Sequence, residues 1–219
     1  MKITIRPLAL AALLVCAGTA SVANASASWI DWTSSTAGTL TIGSNVINVS
    51  LSGSAPYSII NGDYYYKNAN TGGIAPSGTY QGLAPSDMVQ VKPATRFTLT
   101  FDQAIVNPFV ALVSVGQPGY NVSYAFNGAI ASMSTPGSNY WGPGNGSFSG
   151  NTFTGAEYNG VLQLSGAYTS MTISTSPYED WHGFNIGAVN AVPEPETYAL
   201  LLAGLGLVGT VARRRKARV

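Results

Sequence analysis

Apolar and polar residues alternate with a period of two through the middle of this chain, and no other feature constrains its fold as strongly. Ile47, Val49 and Leu51 stand at every second position, as do Phe97, Leu99 and Phe101, then Tyr120, Val122, Tyr124 and Phe126, then Met171 and Ile173, then Phe184 and Ile186. Successive side chains of a strand point to opposite faces, so runs of this kind bury one face of a sheet. Phe109 to Val115 is apolar at both parities, which predicts a central strand covered on two sides. Asn127-Gly128 lies between the Tyr120 run and Ala129 to Met133 and predicts a tight hairpin, and Asn159-Gly160 before Val161 to Leu164 predicts a second. Turn chemistry recurs at Asn61-Gly62, Gly72-Gly73, Pro118-Gly119 and Pro136-Gly137. Many short strands divided in this way predict an all-β fold, an antiparallel β-sandwich of jelly-roll type in one domain, with a closed barrel as the alternative.

The two ends of the chain read differently. Met1 to Ala25 has the layout of a signal peptide: Lys2 and Arg6 at the start, an apolar stretch from Leu8 to Val15, then Ala23-Asn24-Ala25 with small residues where a signal peptidase reads. Cleavage is expected between Ala25 and Ser26, and Ala25-Ser26-Ala27 offers a second site. The only cysteine, Cys16, leaves with this segment, so a disulfide, a thiolate nucleophile and a cysteine metal site are excluded from the mature chain. At the other end Pro193-Glu194-Pro195 cannot continue a helix and should stand extended. Tyr198 to Ala212 then carries no charge and predicts one hydrophobic helix, at roughly 15 residues a short membrane anchor beside the ~20 that span a bilayer with ease. Arg213, Arg214, Arg215, Lys216 and Arg218 would hold its end on the cytoplasmic side.

Pro193-Glu194-Pro195, a single apolar run and a terminal arginine cluster resemble the PEP-CTERM sorting signal of exopolysaccharide-producing Gram-negative bacteria. The resemblance covers residues 192–219. It implies that Pro193, Glu194 and Pro195 form the motif read by exosortase, a membrane-embedded enzyme that removes the tail. The inner membrane would then hold the chain only transiently, on its way to the cell envelope surface or an extracellular matrix. The resulting organisation is a signal peptide over 1–25, an exported domain over 26–191 and a sorting signal over 192–219.

Between the two signals the basic residues are Lys67, Lys92 and Arg96 and the acidic ones are Asp31, Asp63, Asp87, Asp102, Glu157, Glu179 and Asp180, a net charge of −4. That sign repels phosphate backbones and disfavours nucleic acid as a partner. Two segments rich in glycine carry aromatic residues suited to stacking on sugar rings: Tyr64, Tyr65 and Tyr66 in one, Tyr140 and Trp141 in the other. These are candidate glycan contacts, and the competing reading is that the rings plug the ends of the sandwich. Ser176 to Gly187 holds the only histidine, His182, beside Glu179, Asp180 and Trp181. Zinc would need further nitrogen or sulfur ligands and calcium a regular oxygen loop, and neither pattern is present, so no cofactor or metal is assigned. The expectation is that Trp181 and Phe184 seal the core, with His182 hydrogen-bonded beside them. No nucleophile elbow or phosphate loop occurs. The chain therefore reads as a non-enzymatic surface or matrix protein with a structural or adhesive role, in contact with extracellular polysaccharide. The alternative is a secreted carbohydrate-active enzyme using a pair drawn from Glu157, Glu179 and Asp180.

Overall fold

The computed structural model describes residues 27–53, 56–60, 87–134, 138–139, 142–189, 202–206 and 208. Ala25, Ser26, Tyr64, Tyr65, Tyr66, Tyr140, Trp141, Pro193, Glu194, Pro195 and the basic cluster from Arg213 to Arg218 lie outside them. Asn24–Val192 forms one compact unit. In the other unit, residues 202–206 and 208 are helical, and Leu202, Leu205 and Val208 are exposed. Among the described residues, no helix is long and apolar enough to cross a membrane.

The compact unit is built of strands. In chain order these are β1 (Ala27–Trp29), β2 (Asp31–Trp32), β3 (Ala37–Ile42), β4 (Asn45–Gly53), β5 (Tyr57–Ile59), β6 (Met88–Val91), β7 (Thr95–Val106), β8 (Phe109–Val115) and β9 (Val122–Phe126). There follow β10 (Ile130–Met133), β11 (Ser138–Asn139), β12 (Gly142–Pro143), β13 (Asn145–Ser149), β14 (Thr152–Ala156), β15 (Tyr158–Leu164), β16 (Ala167–Ser176) and β17 (His182–Val189). One sheet has the order β10-β15-β8-β17-β6-β5, with β1 also on β17; the other has the order β13-β14-β9-β16-β7-β4-β3-β2. All pairings within these two sheets are antiparallel. Each sheet keeps its own edge strands, so the closed barrel gives way to a sandwich.

The period of two sorts residues as expected. Ile47, Val49 and Leu51 of β4, Phe97, Leu99 and Phe101 of β7, Val122, Tyr124 and Phe126 of β9, and Met171 and Ile173 of β16 all enter the core between the sheets. Their polar neighbours form the outer face of the β7 sheet, where Ser50 stands opposite Thr100, Thr98 opposite Thr172 and Ser123 opposite Thr154. In the other sheet the central strands are buried on both faces. β8 runs between β15 and β17, and residues 110–115 are all buried, as the double-parity apolar pattern predicts. Phe184, Ile186 and Ala188 of β17 face the core between the sheets, while a second apolar cluster holds Ala27, Trp29, Met88, Ala111, Val113 and Val161. Gly187 is what lets Trp29 lie flat on β17, since a Cβ there would come within 2.6 Å of Trp29 Cε3.

Both expected Asn-Gly hairpins are corrected. Asn127-Gly128 does not fold β10 back onto β9: β9 pairs with β14 and β16, and β10 pairs with β15 in the opposite sheet. Its asparagine is used across the sheet instead, Nδ2 donating to Ser170 O at 3.1 Å and Oδ1 accepting from Thr172 N at 3.1 Å, so the corner is anchored to β16 and sends the chain across the sandwich. Asn159-Gly160 lies inside β15, buried, and the chain reverses one step earlier at Glu157, whose φ is +59°. Among the described residues, two-residue hairpin loops occur at Gly43-Ser44, between β3 and β4, and at Gly150-Asn151, between β13 and β14, with φ of +63° and +59° at their glycines.

Candidate functional site

The connections β6 to β7, β8 to β9, β14 to β15 and β16 to β17 meet at one end of the sandwich. Antiparallel pairing puts them there, since Tyr158 stands opposite Val115, Gly183 opposite Val113 and His182 opposite Val91. Here the structure gathers the titratable residues of the sequence motif and adds partners that motif reading missed. Ser114 Oγ donates to Glu157 Oε1 at 2.8 Å, and Ser114 N donates to Asn159 Oδ1 at 2.9 Å. Asn159 Nδ2 in turn donates to Glu157 O at 2.8 Å, bracing the turn in which Glu157 takes its positive φ. Two residues along from Ser114, Gly116 N donates to Glu179 Oε2 at 2.9 Å, while Glu179 N donates to Lys92 O at 2.9 Å. Both carboxylates are buried, Glu157 at 4% and Glu179 at 3% exposed.

Burial pushes the Glu179 carboxyl from its ordinary 4.5 up to about 7; the Gly116 N–H opposes this, and the charges of Glu157 and Asp180 reinforce it. Asp180 stands apart, exposed, with Oδ1 accepting from Tyr178 Oη at 3.2 Å. Of the three acids considered as a catalytic pair, two are thus brought together, but in the interior rather than across an open groove. Ser114 and Gly116 left no mark in the sequence: one reads as an ordinary strand residue and the other as an ordinary loop glycine.

His182 takes the inward parity of β17 and is fully buried, hydrogen-bonded through Nδ1 to Tyr124 Oη, with the two rings edge to face at 5.3 Å. Burial pushes it from 6.5 down to about 4, so the imidazole is neutral, and among the described residues Nε2 has no partner. Phe184 seals the core as expected, stacked on Phe97 at 5.4 Å and edge-on to Tyr124 at 6.2 Å. Trp181 does not join it. It is half-buried against the cluster that contains Trp29 and Met88, because it precedes β17 and falls on the opposite parity.

Tyr120, expected at the head of the β9 alternation, lies outside the strand and is exposed. The Pro118-Gly119 turn closes a Gln117 to Tyr120 bridge before β9 begins. Among the described residues no group of three His, Cys, Asp or Glu side chains could hold a metal ion. A shallow depression of about 170 Å³ lies beside Phe109, Met133 and Val161. Phe109 opens β8 at the end opposite Ser114 and Gly116, so this hollow does not contain the carboxylates.

The fold and site define an all-β sandwich that encloses Glu157, Glu179 and His182 at one end, followed in sequence by Pro193-Glu194-Pro195. Residues 191–216 match the PEP-CTERM protein-sorting motif. The motif implies exosortase-dependent sorting of an exported protein, with exosortase as a partner and the cell envelope or surface as the destination. No curated protein and no solved structure matches the chain.

Proposed function

We propose that this chain is a surface or extracellular-matrix protein with a structural or adhesive role, its sandwich displayed to extracellular polysaccharide after the tail has been removed. The match of residues 191–216 to the sorting motif carries this reading, since a cleavable tail separates how the domain travels from what it does. The sandwich is read as a jelly roll on its strand order. The strands β6, β7, β8, β9, β14, β15, β16 and β17 alternate between two four-stranded rows, β15-β8-β17-β6 and β14-β9-β16-β7, apart from one step within a row between β9 and β14. A non-enzymatic role is supported by the placement of Glu157 and Glu179, whose oxygens are taken up by Ser114 and Gly116 in the interior. A carbohydrate-active enzyme is the second reading, and the raised Glu179 beside Glu157 is the observation in its favour.

In a host that encodes exosortase, Glu194→Ala should leave a longer species in the membrane fraction while the wild type is recovered with an end near Pro193. Intact-mass measurement of membrane, medium and matrix fractions reads this directly. Equal release of both forms would overturn the sorting role of the motif. Hydrolysis of a polysaccharide that is lost in both Glu157→Gln and Glu179→Gln would decide for the enzyme.

A further inference from the structure

At the same end of the sandwich two tyrosine rings stand clear of the surface, Tyr120 at 42% and Tyr178 at 53% exposed. Rings of this size are usually covered, and these are held in place without being covered. Tyr120 Oη donates to Tyr178 O at 2.6 Å, tying the β8–β9 connection to the β16–β17 connection, and Tyr178 Oη donates to Asp180 Oδ1 at 3.2 Å. From below, Glu179 ties the same two loops together through Gly116 N at 2.9 Å and joins the β6–β7 connection through Lys92 O at 2.9 Å, and Gln117 and Tyr120 exchange backbone hydrogen bonds of 2.8 Å each. The amides of Gln117 and Asn121 and the carboxylate of Asp180 are exposed around the rings.

We propose that this end is a binding site for a neutral polysaccharide, with Tyr120 and Tyr178 stacking on pyranose faces and Asp180, Gln117 and Asn121 hydrogen-bonding to sugar hydroxyls. The negative face of an aromatic ring attracts the polarised C–H face of a sugar, and a tyrosine whose hydroxyl is already tied down loses little rotamer freedom when it binds. Amides and a carboxylate supply the donors and acceptors that hydroxyls need. Asp180, on a domain whose charge is −4 between its two signals, disfavours an acidic polymer. A protein partner would cover about 800 Å² on each side around a core depleted of charge, and two rings bordered by amides and an acid offer no such core. This site deepens the adhesive reading above and rests on it.

The test is electrophoresis of the protein in the form its host exports, through native gels cast with galactomannan, glucomannan or polygalacturonate. Retardation is expected in the two neutral polymers and not in the acidic one. Tyr120→Ala and Tyr178→Ala should each weaken retention about tenfold, whereas Tyr178→Phe, which keeps the ring, should retain most of it. Asp180→Ala, at an exposed position, should weaken it in the same gels. No retardation in either neutral polymer, or retardation only in polygalacturonate, overturns the proposal. Retention in the neutral gels that the alanine variants leave unchanged overturns this site while the adhesive reading stands.

Discussion

Replacing Glu179 with glutamine should stabilise the domain by an amount that grows with pH. In the folded chain this carboxyl is pushed up to about 7, against an ordinary 4.5. Between those two values the unfolded chain has released a proton that the folded chain still holds. The contribution of Glu179 to stability is therefore fully present below pH 4.5 and is lost as pH rises through 7, by about 1.4 kcal/mol per pH unit and up to about 3 kcal/mol in all. Glutamine keeps an oxygen to accept from Gly116 N and carries no charge to bury beside Glu157 and Asp180. The difference in unfolding free energy between Glu179→Gln and wild type should consequently be smallest near pH 4.5, rise to pH 7 and level off above it. Urea denaturation of both proteins followed by tryptophan fluorescence, at half-unit steps from pH 4.5 to 8, measures the difference with every other titrating group cancelled. A difference independent of pH across that range would refute the reasoning, because it would mean that the carboxyl titrates alike in the folded and unfolded chains.

His182 acts in the opposite sense. Its folded value of about 4 lies below the ordinary 6.5, so its contribution is present above pH 6.5 and is lost as pH falls through 4. Against this, the slopes of the two groups offset each other between about pH 4.5 and 6.5, and Glu179→Gln should expose the histidine limb as a loss of stability on acidification. Phe184→Ala removes a fully buried ring stacked on Phe97 and edge-on to Tyr124 and should cost about 3–5 kcal/mol, a fall in melting temperature on the order of 10 °C by calorimetry. Gly187→Ala would place a Cβ 2.6 Å from Trp29 Cε3 and 2.7 Å from Ser28 O, so it should cost about 1–3 kcal/mol and raise hydrogen exchange in Ala27–Trp29 before the rest of the sheet.

Much of the fold was legible because alternation is a local property. The inward residues of β4, β7, β9, β16 and β17 could be read from their spacing, and the double-parity run of Phe109 to Val115 marked the strand that both faces of its sheet would cover. The hairpins were misread where a dipeptide had more than one use. Asn127 carries hairpin chemistry, but its side chain pairs with β16 across 43 and 45 residues of sequence, and no window around it contains those partners. Gly43-Ser44 and Gly150-Asn151 did carry a two-residue hairpin signal, weaker than Asn-Gly and decided by the flanking register. At the candidate site Glu179, Asp180, Trp181 and His182 attracted attention as a cluster in sequence, yet parity separates them. His182 enters the core, Trp181 joins the second apolar cluster, Glu179 turns beneath the loops and Asp180 remains outside.

By itself, then, the sequence determined the all-β class, the face on which the alternating apolar residues of β4, β7, β9, β16 and β17 lie and the sorting motif at the end of the chain, since each is written in neighbouring residues. Only the tertiary structure decided which strands pair, that Glu157 and Glu179 share one buried end with Ser114 and Gly116, and that Tyr120 and Tyr178 stand exposed above them. Pairing and burial are settled by contacts between segments far apart in the chain, and a period of two names a face without naming the partner that will cover it.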